Sequence, residues 1–79
     1  MTNYEHMIVS AIRYALGRMT YIVSLTVNYV LEDIKENKLS STCLELMLKD
    51  IQSAEYLGME CDVKEWEKLS KEINKKLRS

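Results

Sequence analysis

The sequence predicts an all-α fold, a small helical bundle that forms a single domain over residues 1–79. The chain is 47% hydrophobic, which is too apolar for a disordered segment. It contains no Pro and only two Gly, so it lacks the turn residues of a typical all-β fold. Its apolar residues recur at spacings of three and four, the period of a helix that is buried on one side. A chain this short buries only about 60% of its unfolded surface, so we expect a homo-oligomer.

The first helix is predicted to run from about residue 3 to residue 37. The apolar stripe keeps the helical period straight through Gly17, which favours one unbroken helix. An alternative places a break there, with Gly17 as the C-cap of one helix and Thr20 as the N-cap of the next. The residues of the stripe are Val9, Ile12, Leu16, Met19, Val23, Val27, Val30 and Ile34.

A second helix is predicted over about residues 42–57, after a short turn. Ser41 or Thr42 caps it, because Glu45 follows Thr42 by three residues, the spacing of a capping box. Gly58 ends it, since glycine is the usual residue just past a helix C-terminus. The side chains expected to face the core are Leu44, Met47, Leu48, Ile51 and Ala54.

A third helix is predicted over about residues 63–78. Asp62 and Glu65 repeat the capping-box spacing at its start. Trp66 lies on its apolar stripe, so we interpret this residue as a core anchor and not as a stacking platform for a ligand. The complete stripe is Val63, Trp66, Leu69, Ile73 and Leu77.

The charges argue against nucleic acid as a partner. The formal net charge is −1, whereas affinity for a phosphate backbone requires several uncompensated cations. A helix-turn-helix built from the second and third helices is a weaker alternative, because its reading helix would present Glu65, Glu67 and Glu72 to phosphates. The basic residues of that helix are interleaved with these acids, which is typical of a solvated helix end.

Neither a membrane span nor a metal site is predicted. The longest largely apolar run, Met19 to Leu31, has about 13 residues and is too short to cross a bilayer. Cys43 and Cys61 lack the paired spacing of zinc ligands, so no metal is expected. Two isolated thiols of this kind indicate a reducing, cytoplasmic setting.

The sequence also predicts a protein that is not an enzyme and needs no cofactor. It has one His, no Gly-rich phosphate loop and no nucleophile and base at a known catalytic spacing. Glu32 and Asp33 are adjacent and therefore point to different sides of a helix, which disfavours a carboxylate pair acting on one substrate.

The side of the first helix opposite its apolar stripe is the candidate binding surface. It carries aromatic rings and arginine side chains instead of the Lys and Glu of an ordinary solvated face. Arginine supplies paired guanidinium donors, and tyrosine supplies a hydroxyl and an aromatic ring, which together can bind a phosphate or nucleotide. The candidate ligand-binding residues are His6, Arg13, Tyr14, Arg18 and Tyr21. The candidate oligomer-interface residues, most of them small and at heptad spacing, are Ser10, Gly17, Ser24 and Asn28. The alternative is that both arginines pair with Glu32, with Asp33 or with acids of the second helix.

The segment AIRYALGRMTYIV, from Ala11 to Val23, resembles one in short uncharacterised proteins of phages and prophages. The resemblance covers about one sixth of the chain and implies a phage accessory role in the cytosol of a host cell. Such proteins often resemble counter-defence factors, which sequester a nucleotide immune signal or occlude a host protein. The resemblance supplies no functional residues.

Two functional hypotheses follow from the residues and the resemblance together. In the first, a helical homo-oligomer sequesters a nucleotide-like anion through the Arg and Tyr side chains of the first helix. In the second, the same helix face binds a host or phage protein, and the chain acts as an inhibitor or assembly factor. Charge reversal at Arg13 or Arg18 separates them, since only the first depends on those cations for affinity.

Overall fold

Three connections divide the chain into four helices, in a computed structural model that describes every residue from Met1 to Ser79. The helices are α1 (Asn3–Ala15), α2 (Thr20–Lys35), α3 (Ser41–Ser53) and α4 (Glu60–Arg78). The predicted all-α class is confirmed, whereas the predicted division into three helices is wrong. No helix combines the length with the apolar character that a bilayer crossing requires.

The predicted long helix over residues 3–37 is broken at Gly17. This glycine has a positive φ of 75°, a left-handed conformation that no residue inside an α-helix adopts. The Arg18 N–H donates to the Ala15 carbonyl at 3.0 Å, which closes the turn. The sequence alternative with a break is therefore the observed one, although the N-cap of α2 is Met19 and not Thr20. An unbroken helix would measure about 50 Å and extend far beyond its shorter partners.

Three further helix boundaries differ from the prediction. The Ser40 hydroxyl, and not Ser41 or Thr42, caps α3 by accepting a hydrogen bond from the Cys43 N–H at 3.2 Å. This helix ends at Ser53, so the stretch before Gly58 is a loop. Asp62 lies within the first turn of α4, where its carboxylate accepts the N–H of residue 59 at 3.0 Å.

The four helices pack around a square in the cyclic order α1, α2, α4, α3, with α1 opposite α4 and α2 opposite α3. Tyr4 contacts Asp33, so α1 and α2 are antiparallel. The Thr20 hydroxyl lies 3.7 Å from the Cys61 sulfur, and both residues are at helix N-termini, so α2 and α4 are parallel. Contacts from the start of α1 to the start of α3 show that this pair is also parallel.

Sixteen buried hydrophobic residues fill the centre of this square. Trp66 is the largest and is fully buried, as its position on the predicted stripe indicates. Of the predicted first stripe, Met19 is 68% exposed and Leu16 is half-buried, because both lie at the break. Burying one aliphatic or aromatic side chain contributes about 1.5–3 kcal/mol, which makes this core the main source of stability.

Candidate functional site

Arg13 is held by an acid of α3. Its Nε donates to the Asp50 carboxylate at 2.8 Å, with the Arg13 side chain 59% exposed and the Asp50 side chain 19% exposed. The parallel packing of α1 and α3 produces this pair. The sequence alternative, in which an acid of the predicted second helix pairs with the arginine, is therefore the arrangement observed for Arg13.

Arg18 has no carboxylate partner. Its guanidinium lies over the Tyr14 ring, 4.7 Å from the centroid, and its Nε donates to the Tyr14 carbonyl at 3.1 Å. No carboxylate lies within ion-pair distance of it. The structure therefore brings these two predicted ligand-binding residues together, at the turn between α1 and α2, in a stacked pair of the cation–π type.

No hydrogen bond or ring contact joins His6 or Tyr21 to this pair. His6 is exposed near the start of α1, and Tyr21 is 72% exposed in the first turn of α2. The structure contains three surface clefts, and none of them is lined by a predicted ligand-binding residue. The five side chains consequently do not surround a common pocket.

The break at Gly17 also separates the four predicted interface residues. Ser10 is exposed on α1, Gly17 forms the turn, and Ser24 and Asn28 lie on α2. Heptad spacing aligns residues only along one continuous helix, and α2 runs back antiparallel to α1. The predicted seam of small residues therefore does not exist as one line, and an interface role for these positions stays a prediction.

An apolar groove runs between α1 and α2 on their outer side. It has a volume of about 280 Å³, and Thr26 is its only polar lining residue. No charged side chain lines it. The lining residues are Met7, Ile8, Ala11, Leu25, Thr26, Tyr29 and Val30.

Large exposed side chains continue this groove toward the turn between α1 and α2. We use the name apolar face for Met7, Tyr14, Tyr21, Leu25 and Tyr29, each of which is 55–72% exposed. On α2 they are spaced by four residues, and on α1 by seven, so each set forms one stripe. Their exposed area is roughly 500 Å², which is at the upper end for the largest apolar patch of a monomeric protein.

A hydrogen-bonded cluster joins α1 to α2 at the far end of the groove. The Tyr4 hydroxyl donates to the buried Asp33 carboxylate and lies 3.3 Å from the Tyr29 hydroxyl. The hydrogen bond to Asp33 is the main reason that the pKa of Tyr4 is raised above its usual value. This contact fixes the relative position of the two helices that form the groove.

Sequence reasoning missed the groove and the burial of Glu5 and Asp33. Met7, Leu25 and Tyr29 are apolar residues off the predicted core stripe, and that was the available signal for the groove. Glu5 is buried, and its carboxylate accepts hydrogen bonds from Thr2 and from the Ser40 N–H. The spacing of Thr2 and Glu5 is that of a capping box, so the sequence contained a signal for this acid as well.

The most cationic cleft lies elsewhere, between the C-terminal parts of α2 and α4. It has a volume of about 500 Å³ and includes four lysines and one acid, Glu72, among its lining residues. Lys76 donates to the Asn37 side chain. Lys35, Lys75 and Lys76 lie in the last turns of their helices, where a cation stabilises the negative end of the helix dipole. The four lysines are Lys35, Lys68, Lys75 and Lys76.

Comparison with known proteins finds no relative of this chain. No protein-family model matches it, and no curated protein and no solved structure does. The resemblance of residues 11–23 to phage and prophage proteins therefore stays a prediction.

Proposed function

We propose that the chain is a non-enzymatic binding protein whose apolar face docks on a partner protein. The observation that carries this proposal is the groove between α1 and α2, which has no charged lining residue and is continued by large exposed side chains. Tyr and Met are enriched in protein interfaces, and Lys and Glu are depleted. The apolar face has this composition.

The size of the face supports a protein partner over a small molecule. Each of the five side chains of the apolar face is more than half exposed, so a partner has to cover both helices to remove them from water. Three tyrosines supply much of the exposed area, and tyrosine is among the residues that dominate measured binding energies. The rigid ring on Tyr21 and the branched side chain of Leu25 are the central contacts of the proposed interface.

The shape of the face indicates what the partner presents. A groove between two antiparallel helices accepts the apolar ridge of a third helix, with side chains at spacings of three and four residues. In the phage setting that the resemblance implies, the partner is a host or phage protein that offers such a helix. The chain then acts by occlusion, as an inhibitor or assembly factor.

Photo-crosslinking followed by direct binding tests this proposal. A benzophenone amino acid at Tyr21 identifies the cross-linked protein in the native cell, and calorimetry with that purified protein gives the affinity. Leu25→Glu is expected to weaken binding at least tenfold, because it places a carboxylate in the groove. Gln52→Glu is the matched control, since it adds the same charge at an exposed position of α3. Equal affinity of both variants would refute the proposal.

The same variants test the predicted homo-oligomer. If sedimentation shows an oligomer that Leu25→Glu dissociates and Gln52→Glu does not, the partner is a second copy of the chain. If the chain is a monomer at all concentrations, the apolar face is available for a different protein. Circular dichroism of each variant establishes that its helices are retained.

A second candidate function is sequestration of a nucleotide-like anion, and one observation favours it. Arg18 has a stacked ring beneath it and no carboxylate partner, and the first turn of α2 beside it contains no acid. A planar guanidinium with free N–H groups is the usual donor to a phosphate. Tyr21 follows in that turn and offers a hydroxyl and a ring.

Native mass spectrometry of the protein purified from its cells tests this second candidate. A retained phosphorylated compound that is lost in Arg18→Gln would support it. Arg13→Gln is the matched control, because the Arg13 guanidinium already forms an ion pair with Asp50. A ligand-free wild-type protein that also fails to bind a nucleotide panel would exclude it.

A further inference from the structure

The central part of α2 carries no charged side chain. From Met19 to Leu31 the chain contains no Asp, Glu, Lys or Arg, and Arg18 and Glu32 bound this stretch. Leu25 is its midpoint, seven residues from each charge. At 1.5 Å per residue, each charge therefore lies about 10 Å from Leu25 along the helix axis, one in each direction.

The two charges have no ionic partner within the chain. No carboxylate lies within ion-pair distance of Arg18, and no cation lies within that distance of Glu32, which is exposed. The Arg18 guanidinium is stacked on the Tyr14 ring and donates from Nε to the Tyr14 carbonyl. Its terminal N–H groups therefore keep their capacity to bind a carboxylate of another molecule.

The apolar residues between the charges have the same symmetry. Tyr21 and Tyr29 lie four residues before and four residues after Leu25, and all three are more than half exposed. With about 100° between successive residues of a helix, these three and Glu32 fall within about 80° of arc and form one stripe along α2. Reversing the direction of this stripe about Leu25 exchanges the two tyrosines and exchanges the two opposite charges.

A stripe with this symmetry is complementary to itself when two copies of α2 pack antiparallel. A two-fold axis at Leu25 places the two Leu25 side chains against each other. It places Tyr21 of each copy against Tyr29 of the other. It also places Arg18 of each copy opposite Glu32 of the other, so the dimer contains two pairs of opposite charge.

Other arrangements of two α2 helices lack this match. Parallel helices bring Arg18 against Arg18 and Glu32 against Glu32, and like charges opposite each other in an interface cost affinity. An antiparallel pair displaced by three residues brings Arg18 against Lys35 and Tyr21 against Glu32. The charges therefore favour a single direction and a single register.

We infer that the apolar face is covered by a second copy of the chain, in a symmetric dimer whose two α2 helices pack antiparallel about an axis at Leu25. Met7 and Tyr14 of each α1 border this contact. The inference rests on the proposed docking role of the apolar face and names a second copy as its partner. A host or phage protein that offers an apolar helix has to compete with this copy.

Charge reversal followed by mixing tests the register. Arg18→Glu and Glu32→Arg each create two pairs of like charge, so each is expected to weaken the dimer roughly tenfold in sedimentation equilibrium. When the two variants are mixed in equal amounts, both pairs have opposite charges again. The mixed dimer is expected to form with an affinity within about threefold of the wild type.

Two variants on α3, which lies opposite α2 in the bundle, are the matched controls. Lys49→Glu and Glu45→Arg make the same two changes of charge at exposed positions, and neither is expected to weaken the dimer. Leu25→Glu places two carboxylates against each other at the axis and is expected to weaken it more than either charge reversal. Circular dichroism of each variant establishes that its helices are retained.

Three results would overturn the inference. A wild-type chain that stays a monomer at millimolar concentration excludes the dimer and leaves the proposed docking on a different protein to the cross-linking experiment. A dimer whose two charge-reversed variants do not recover affinity on mixing excludes this register. A dimer that Leu25→Glu does not weaken excludes the apolar face from the contact and counts against the proposed function as well.

Discussion

Gly17 and Tyr56 pack against each other, although they belong to different connections of the bundle. A Cβ built on Gly17 would lie 3.4 Å from both the ring Cδ2 and the carbonyl oxygen of Tyr56. The turn between α1 and α2 therefore rests on the loop between α3 and α4. Gly17 is the residue at which the predicted long helix breaks, and Tyr56 lies in the loop that follows the early end of α3. The two departures from the predicted helices therefore meet in one packing contact.

Gly17→Ala is expected to lower the free energy of unfolding by about 1–2 kcal/mol, since an alanine tolerates the left-handed conformation poorly. Gly17→Asn should cost less, because asparagine adopts this conformation more readily. Urea denaturation of both variants measures the difference. An equal loss in both would assign the effect to crowding at Tyr56 instead of backbone conformation.

Gly58→Ala is expected to destabilise the protein more than Gly17→Ala does. Its φ is 107°, and an added Cβ would lie 2.6 Å from an Asp62 carboxylate oxygen. That oxygen accepts the N–H of residue 59 at the start of α4, so relief of the clash breaks the hydrogen bond. The same urea measurement ranks the two glycines. Equal costs would contradict the close approach at Gly58.

Tyr4→Phe is expected to lower stability by about 1–3 kcal/mol, because it leaves the buried Asp33 carboxylate without its hydroxyl donor. Tyr29→Phe is the matched control. It removes the hydroxyl that lies 3.3 Å from the Tyr4 hydroxyl and leaves the contact with Asp33 in place. Thermal unfolding of both variants should therefore show the larger loss for Tyr4→Phe.

The Glu5 carboxylate makes stability depend on pH in the acid range. Hydrogen bonds from Ser40 and Thr2 lower its pKa from 4.5 to about 2. The folded state therefore holds this proton less tightly than the unfolded state, so the stabilisation is present above pH 4.5 and disappears as the pH falls toward 2. Glu5→Gln removes the ionisable carboxyl group and therefore this contribution to the pH dependence of stability. The difference in unfolding free energy between wild type and Glu5→Gln should shrink from pH 5 to pH 2, and a constant difference would refute the assignment.

The two thiols are expected to react at very different rates. Cys61 is exposed, whereas burial raises the pKa of the Cys43 thiol to about 11. The thiolate is the reactive form, so Cys43 is protected by both its burial and its pKa. A disulfide reagent at pH 8 should modify one thiol per folded chain and two in urea. Rapid modification of both in the folded protein would contradict the position of Cys43.

The apolar pattern predicted most of the core but not the path of the chain. The spacing from Leu16 to Met19 to Val23 satisfies the helical period whether or not the backbone turns at Gly17. Both arrangements present the same stripe to a core. The pattern therefore could not decide between them, and the turn at Gly17 packs on Tyr56, which is far away in sequence.

The candidate binding residues show the same limit. Tyr14 and Tyr21 were predicted to be functional from their side of the helix, and they are exposed in the structure. The pairing of Arg13 with Asp50 requires α1 and α3 to be parallel, which no local pattern specifies. Met7 and Leu25 form a groove only because α2 returns along α1, so the groove is a tertiary feature.

The order of helices around the square has a consequence for how copies of the chain can exchange parts. Helices α1 and α2 form one hairpin and α3 and α4 form another, and the segment from Glu36 to Ser40 joins them. The packing contacts between α1 and α3, and those between α2 and α4, both join one hairpin to the other. An extended joining segment, in which Asn37 leaves its left-handed conformation, would let each hairpin complete the bundle of a neighbouring copy. Such a swapped dimer would keep the interior of the monomer and present two apolar faces in one particle.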